Sequence, residues 1–194
     1  MTISTEDVKK LREETGVSVM QCKSALEEAD GDMEKARIIL AKKSKAAAAK
    51  KSDRELGAGV VASYIHGEGS VGSLVELLCE TDFVARNEDF KKLAYDIAMH
   101  IAASDPAYLT ADEIDETEKA KVAEVLQKEV ADKPENMQAQ ILEGKLDSFF
   151  KEKVLLDQAY IKDPKKTIKQ LTEEATQKFG ERTEVGRFSR FSIN

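Results

Sequence analysis

Proline, tryptophan, cysteine and histidine are all scarce in this sequence. Its 194 residues include three prolines, no tryptophan, two cysteines and two histidines. Because proline breaks helix interiors, its scarcity favours long, uninterrupted helices. Cys22 and Cys79 stand in no C-x-x-C or other metal-ligand spacing, and His66 and His100 are also far apart. The sequence therefore predicts no metal site, and no cofactor is expected.

The sequence has fewer basic than acidic residues and contains no long apolar run. Asp and Glu number 37 against 30 Lys and Arg, which gives a formal net charge of -7. An acidic chain repels phosphate backbones, so nucleic acid is not expected as the principal partner. The N-terminus lacks the basic patch and apolar run of a secretory signal, and no stretch is apolar for long enough to cross a bilayer. We expect a cytoplasmic protein with reduced cysteines and no membrane partner.

Residues 5–43 show the pattern of three short helices. Ser4 or Thr5 can cap the first helix, and Gly16 is suited to the turn that ends it. The residues expected to face inward are Val8 and Leu11 on the first helix, Val19, Cys22, Leu26 and Ala29 on the second, and Met33, Ala36 and Leu40 on the third. The Lys/Ala-rich stretch that follows has high helix propensity but little to bury, so we predict a solvated, partly helical tether. The predicted division is a module at 1–43, a linker at 44–56 and a core at 57–194.

From residue 57 onward the pattern predicts an α+β core, in which a small antiparallel sheet packs with helices and carries a helical hairpin. The predicted elements are a β-hairpin at 60–65 and 74–79, a helix from Asn87 to about Asp105, a helical hairpin at about 112–153, a helix between Thr167 and Gly180, and a strand at 183–193. Thr110 and Glu113 have the spacing of a capping box at the start of the helical hairpin. Its facing residues should be Val122, Val125, Leu126 and Val130 on one helix and Met137, Ile141, Leu142, Leu146 and Phe149 on the other.

Between the second strand and the long helix lies the segment 81–87, TDFVARN. It places an aromatic ring directly after a Thr-Asp pair that is suited to capping a helical turn. In the simpler interpretation, Phe83 is a core anchor and Asp82 a cap, as for most aromatics at such junctions. In the functional interpretation, Phe83 is an exposed wedge on a rigid support, and such residues dominate interfaces.

Enzymatic and nucleotide-binding functions have little support in the sequence. A thiol hydrolase could use Cys79 with His66, but Cys79 lies within a strand pattern with no helix start or basic neighbour to lower its pKa. The glycines at 57–72 are spread along a hairpin and form no strand-turn-helix phosphate cradle. We therefore expect no catalytic residues.

The same junction segment resembles the signature of the elongation factor Ts family. Two more stretches agree with it: LREETGV at 11–17 with Cys22, Lys23, Ala25 and Leu26 resembles the family's N-terminal three-helix module, which is similar to ubiquitin-associated domains, and AMHIAA at 98–103 resembles its core helix. The resemblance extends over essentially the whole chain. It implies a non-catalytic exchange factor that binds the GTPase elongation factor Tu and promotes release of GDP.

The resemblance also implies the contact residues. Asp82 and Phe83 match the motif pair that enters the GTPase domain near the Mg²⁺ and phosphate site, with Thr81 and Val84 beside them. Met20 and Lys23 would contact the same domain from the N-terminal module. Further contacts are implied for Val71, Gly72 and His100.

The chain has room for one core and so resembles the family's short form. This resemblance implies a homodimer, built on the exposed sheet edge.

The alternative function is that of a ubiquitin-associated adaptor or binding module without exchange activity. Only the first 43 residues support this alternative.

Because the sequence contains no phosphate cradle, we predict that the isolated chain neither hydrolyses GTP nor binds GDP tightly. Calorimetric titration of the chain with GDP measures this directly. Sub-micromolar binding would contradict the resemblance to an exchange factor.

Overall fold

The structure is a computed structural model, and it describes residues 3–193. Within them, helices and strands combine in the α+β class that the sequence predicts. The helices are α1 (Thr5–Thr15), α2 (Val19–Glu28), α3 (Met33–Ala49), α4 (Asp82–Ala85), α5 (Glu88–Ser104), α6 (Glu116–Val130), α7 (Glu135–Lys153) and α8 (Ile168–Phe179). The strands are β1 (Ala58–His66), β2 (Val71–Cys79), β3 (Ala159–Tyr160), β4 (Asp163–Thr167) and β5 (Glu184–Ser192). None of the helices in this part of the chain is long and apolar enough to span a membrane.

The first three helices pack around one small apolar cluster. Ser4 caps α1 by accepting a hydrogen bond from the Asp7 amide at 3.0 Å, and Gly16 ends the helix with φ 68°. The predicted inward residues are buried or half-buried in this cluster, except one. Val19 is exposed because it is the first residue of α2, at the end of the helix and beyond the buried stripe formed by Cys22, Ala25 and Leu26.

Helix α3 continues through Ala49, six residues beyond the predicted end of the module. Ser44 is buried in this extension, where its hydroxyl contacts Leu40 O and Gln177 Oε1 of α8. Farther along, Lys51 donates from Nζ to the carbonyl of Gly180 at 2.8 Å. The Lys/Ala-rich stretch is thus helical through Ala49, as its propensity favours, but it is not free of contacts, because α3 packs against α8. The division into domains stays a prediction.

The core is built on a three-stranded antiparallel sheet with the order β1-β2-β5. Strands β1 and β2 form the predicted hairpin, paired from Ala58 opposite Cys79 to His66 opposite Val71. Helix α5 covers one face of the sheet, and Asn87 caps it by accepting from the Asp89 amide at 2.8 Å. The residues buried between them are Val75, Leu77, Cys79, Phe90, Ala94, Ile97, Ala98 and Ile101. The predicted hairpin and helix are therefore confirmed.

Helices α6 and α7 form the predicted helical hairpin, but it begins differently. The Thr110 side chain makes no capping hydrogen bond, and Glu113 instead accepts from the Leu109 amide at 2.8 Å. The cap of α6 is Asp115, which accepts from the Glu118 amide at 2.7 Å. The predicted capping box at Thr110 is wrong because Ile114 is extended and ends the turn before the helix starts.

The predicted contact residues of this hairpin are only partly buried. Val130 is buried, whereas Val125, Met137 and Phe149 are exposed. Two helices that pack against each other alone shield only a narrow seam, so apolar residues at its margins remain in contact with water.

The chain between α7 and α8 contains a second, two-stranded sheet that the sequence did not predict, β3 paired with β4. Strand β3 has only two residues, and the five residues of β4, DPKKT, contain a proline and no apolar alternation. Beyond them, Thr167 and Gln170 form a full capping box at the start of α8, and Gly180 ends it with φ 73°, as predicted.

His100 lies fully buried on α5 and connects that helix to the segment before β3. Its Nε2 is 2.8 Å from Gln158 Oε1, while the Gln158 amide nitrogen donates to the carbonyls of Glu152 and Ser104. A carbonyl oxygen only accepts, so Nε2 carries the proton and Nδ1 accepts from the Ile161 amide at 3.4 Å. Burial lowers the pKa of His100, and the hydrogen bond to Gln158 opposes that shift.

We predict that this histidine makes folding stability depend on pH. Its pKa is lower in the folded than in the unfolded chain, so the unfolded state takes up the proton first as the pH falls below about 6.5. Stability should be full above that pH and decline below it, until the folded-state pKa is reached. Urea unfolding at several pH values tests this: His100→Gln should lose about 1–3 kcal/mol at pH 7 and show a flatter decline. The exposed His66→Gln is the control, and an unchanged slope in His100→Gln would contradict the prediction.

Candidate functional site

The junction segment forms a one-turn helix, α4, between the end of β2 and the start of α5. Val84 and Ala85 point into the core and are buried against it. Phe83 lies on the other side of the turn and is 85% exposed. The interpretation of Phe83 as a core anchor is therefore wrong in this fold: its neighbour Val84 anchors the turn, and the aromatic ring projects into solvent.

Thr81 precedes this turn and is held by bonds from another part of the chain. Its amide donates to Glu181 Oε2 at 3.0 Å, and its hydroxyl donates to Glu181 Oε1 at 2.6 Å. Cys79 Sγ donates to the Thr81 carbonyl at 3.3 Å, and the Ala85 amide donates to the same oxygen at 3.2 Å. Thr81 occupies the cap position of α4 without capping it by its side chain, because its hydroxyl is engaged with Glu181.

Asp82 is the first residue of α4 and is exposed. Its carboxylate lies 3.5 Å from the Arg86 guanidinium, and both side chains are open to solvent. A surface pair of this kind contributes little to stability. The predicted cap role of Asp82 is not what the structure shows, since this carboxylate makes an exposed ion pair beside the Phe83 ring.

The structure places Val71 and Gly72 far from this turn. They begin β2, whereas α4 follows its end at Cys79. Eight steps of about 3.3 Å separate the two ends of the strand by roughly 26 Å. Gly72 lies under the Ile65 side chain, whose Cδ1 would be 2.9 Å from an added Cβ, so a larger residue here would displace the end of that exposed side chain.

Met20 and Lys23 lie on α2 of the first module, one helical turn apart and thus on one face. Met20 is 79% exposed. Lys23 is exposed and lies 3.7 Å from Glu27, a weak pair that leaves its charge available. These two side chains form a small surface on α2 that is both apolar and basic.

His100 differs from the other expected contact residues because it does not reach the surface. It is fully buried and bonded to Gln158. A direct contact from its imidazole would require α5 to separate from Gln158. In this fold, its role is to join α5 to the chain before β3.

The thiol hydrolase interpretation is not supported by the geometry. Cys79 pairs with Ala58 at one end of the β-hairpin, and His66 pairs with Val71 at the other. Burial, followed by the charge of Glu181, raises the pKa of the Cys79 thiol, which is the opposite of what a nucleophile needs. No group of His, Cys, Asp and Glu within residues 3–193 could hold a metal ion.

Comparison with known proteins identifies the family of this chain. The family model described as elongation factor TS matches residues 43–194. The chain belongs to the elongation factor Ts family. The elongation factor Ts of Herpetosiphon aurantiacus is 46% identical over 195 residues, covering 100% of this chain and 98% of the relative. That of Acetivibrio thermocellus is 49% identical over 191 residues (97% and 89%), and that of Thermotoga maritima is 46% identical over 193 residues (100% and 97%).

The matches extend over the core, which argues against a ubiquitin-associated adaptor. An adaptor with an unrelated core would match other proteins only through its first 43 residues, whereas the elongation factor Ts model matches the core itself. The relatives also align along the first module. The predicted resemblance is therefore confirmed over both parts of the chain.

Sequence reasoning missed the residues that hold α4 in place, above all Glu181. Glu181 lies 100 positions from Thr81, so no local pattern connects them. The one available signal, a threonine before a helical turn, pointed to local capping instead.

Proposed function

We propose that this chain is a guanine-nucleotide exchange factor that acts on elongation factor Tu during translation elongation in the cytoplasm. It does so by binding, without chemistry of its own. The observation that carries the proposal is the exposure of Phe83 on a turn whose other side is buried. Membership of the elongation factor Ts family supports the choice of partner.

An aromatic ring in this position is suited to an interface. Phe83 contributes little to the fold, because 85% of its surface stays in water. Val84 and Ala85 fix the backbone beneath it, so the ring can enter a partner without first ordering a loop. Rigid aromatic anchors of this kind supply much of the binding energy at protein interfaces.

Such a ring can weaken GDP on the partner by linkage. If the factor binds the nucleotide-free GTPase better than the GDP form, GDP binding weakens by the same factor. In our proposal, Phe83 enters between helices of the GTPase domain near the Mg²⁺ and phosphate site. The metal compensates much of the phosphate charge, so a displaced metal geometry weakens the nucleotide.

The other exposed side chains extend the proposed contact. Asp82 lies next to Phe83 in an exposed ion pair with Arg86, so its charge is available to the partner. Met20 and Lys23 offer a second contact from the first module. Val71 and Gly72 lie at the opposite end of β2 and would need a separate part of the partner.

We predict that Phe83→Ala separates binding from folding. The free energy of unfolding should change by less than about 0.5 kcal/mol, as for other exposed truncations. Stimulated GDP release from elongation factor Tu should fall about 30-fold, since a central aromatic anchor contributes about 2 kcal/mol or more. Thermal melting and the release of a fluorescent GDP analogue measure the two effects.

The matched control is Val125→Ala, which truncates an apolar side chain that is 61% exposed on α6. It should change neither measurement. A Phe83→Ala chain that melts at a much lower temperature, yet promotes nucleotide exchange normally per folded molecule, would contradict the interpretation of Phe83 as a wedge.

We also propose that the chain forms a homodimer, and an exposed apolar face of the sheet supports the choice of surface. The sheet face opposite α5 is uncovered and carries an apolar patch. This outer patch consists of Val61, Ile65, Leu74, Phe191 and Ile193, all exposed, from the two edge strands, the central strand and the residue after β5. Large exposed apolar patches mark interaction surfaces.

A second copy of the chain is a suitable occupant of this patch. In a two-fold dimer the same surface faces itself, so an apolar patch meets an apolar patch without unpaired charge. Packing face to face would remove the patch from water, whereas pairing through the edge of β1 or β5 alone would leave much of it exposed. We therefore propose that the two sheets of the dimer pack face to face, and not through the sheet edge that the sequence led us to expect.

We predict that a charge in the middle of the outer patch dissolves the dimer. Leu74→Lys, on the central strand, should sediment as a monomer at concentrations well above micromolar, because a buried unpaired charge is strongly unfavourable. Val125→Lys on α6 is the control and should leave the sedimentation coefficient unchanged. A wild-type chain that is monomeric under these conditions and fully active would show that one core suffices.

A further inference from the structure

We propose that Glu181, in the turn between α8 and β5, is a positioning residue for the exchange reaction, which orients the α4 turn that carries Asp82 and Phe83. The inference rests on the proposed function and adds to it a residue outside the resembling motif. Glu181 does not lie on the exposed tip. It acts through Thr81, the residue immediately before the tip.

The need for such a residue follows from the shortness of α4, which has four residues. A single helical turn does not hold itself together, because nucleation fixes many torsions for one hydrogen bond. Its orientation must come from outside. The buried side chains of Val84 and Ala85 fix one side of the turn, and the other side begins at Thr81.

Glu181 fixes that beginning with both carboxylate oxygens. One accepts the Thr81 amide at 3.0 Å and the other accepts the Thr81 hydroxyl at 2.6 Å. Two bonds from one planar carboxylate define both position and direction, and a charged acceptor strengthens each. Removal of the carboxylate takes away the partners of the Thr81 amide and hydroxyl and leaves only the bonds to the Thr81 carbonyl, so this side of the turn is held less firmly.

The neighbouring residues, Glu80 and Arg182, form a bond in the opposite direction. Glu80, which precedes Thr81, accepts the Arg182 amide at 2.6 Å, and Arg182 follows Glu181. Arg54 also lies 3.2 Å from Glu80, and Arg182 donates to the carbonyl of Arg54 at 2.6 Å. The Arg182 amide, with Arg54 beside it, holds the pKa of Glu80 below its ordinary value. Residues 80–81 and 181–182 thus form a clasp with bonds in both directions.

The core does not need the clasp to hold β2 and β5 together. The sheet already joins β2 to β5 from Val71 to Leu78, and α5 covers its inner face. The Glu181 bonds begin where this pairing ends, at the one point from which the chain leaves the sheet to form α4. They therefore control the direction in which the exposed ring leaves the core.

The test is a double-mutant cycle on stimulated GDP release from elongation factor Tu, using the full chain. Glu181→Ala should slow release about fivefold, a typical coupling between groups in contact. In the Phe83→Ala background the same change should slow it less than about twofold, because there is no ring left to position. Glu181→Gln keeps one acceptor and the shape, so it should fall between Glu181→Ala and wild type.

The control is Glu174→Ala on α8, which breaks a pair with Lys166 at 2.8 Å that touches no residue of the clasp. It should leave release unchanged in both backgrounds. Equal slowing by Glu181→Ala with and without Phe83, or none in either, would overturn the positioning role while the proposed function stands. If Phe83→Ala has no effect on release, both the proposed function and this inference fail.

Amide hydrogen exchange supplies a readout that does not depend on activity. In Glu181→Ala, which removes both acceptors, the Thr81 amide should exchange faster while core amides of α5 and β2 stay protected, which indicates local opening of a folded chain. An unchanged rate at Thr81 in this variant would show that Glu181 does not hold the turn and would overturn the inference, whatever the effect on release.

Discussion

The packing of α5 against the inner face of the β1-β2-β5 sheet is the contact on which the other features depend. It buries Phe90, Ile97 and Ile101 on the helix against Val75 and Leu77 on β2. Burial of such side chains contributes roughly 1.5–3 kcal/mol each, which makes this layer the rigid part of the core. Because β2 is the central strand, its end at Cys79 is fixed, and so is the place where the chain turns into α4.

This arrangement explains why two apolar surfaces are left uncovered. A single layer of helices covers one face of the sheet, so the opposite face keeps Ile65, Leu74 and Phe191 in solvent. The turn at α4 is short enough that only Val84 and Ala85 reach the core, which leaves Phe83 outside. Both surfaces are apolar and both lie on rigid supports, which suits them to partners rather than to further folding.

Much of the architecture followed from local patterns. The cap at Ser4, the helix starts at Asn87 and Thr167 and the helix end at Gly180 depend on neighbouring residues only, so they could be predicted and were found. Val19 and the exposed side of the α6–α7 hairpin were misassigned, because periodicity shows which residues share a face but not how wide a neighbouring element is. The β3–β4 pair carries no strand pattern, because β3 has two residues and β4 is polar and contains a proline.

The sequence by itself determined the α+β class, the family and the motif that carries Phe83, because helix periodicity, β-propensity and a contiguous signature are all properties of neighbouring residues. Only the tertiary structure decided which way Phe83 points, that His100 is buried against Gln158, and that Thr81 is bonded to Glu181 instead of capping its own helix. These outcomes depend on residues 58 and 100 positions apart, and such pairs meet only when the sheet and its helices close around one core.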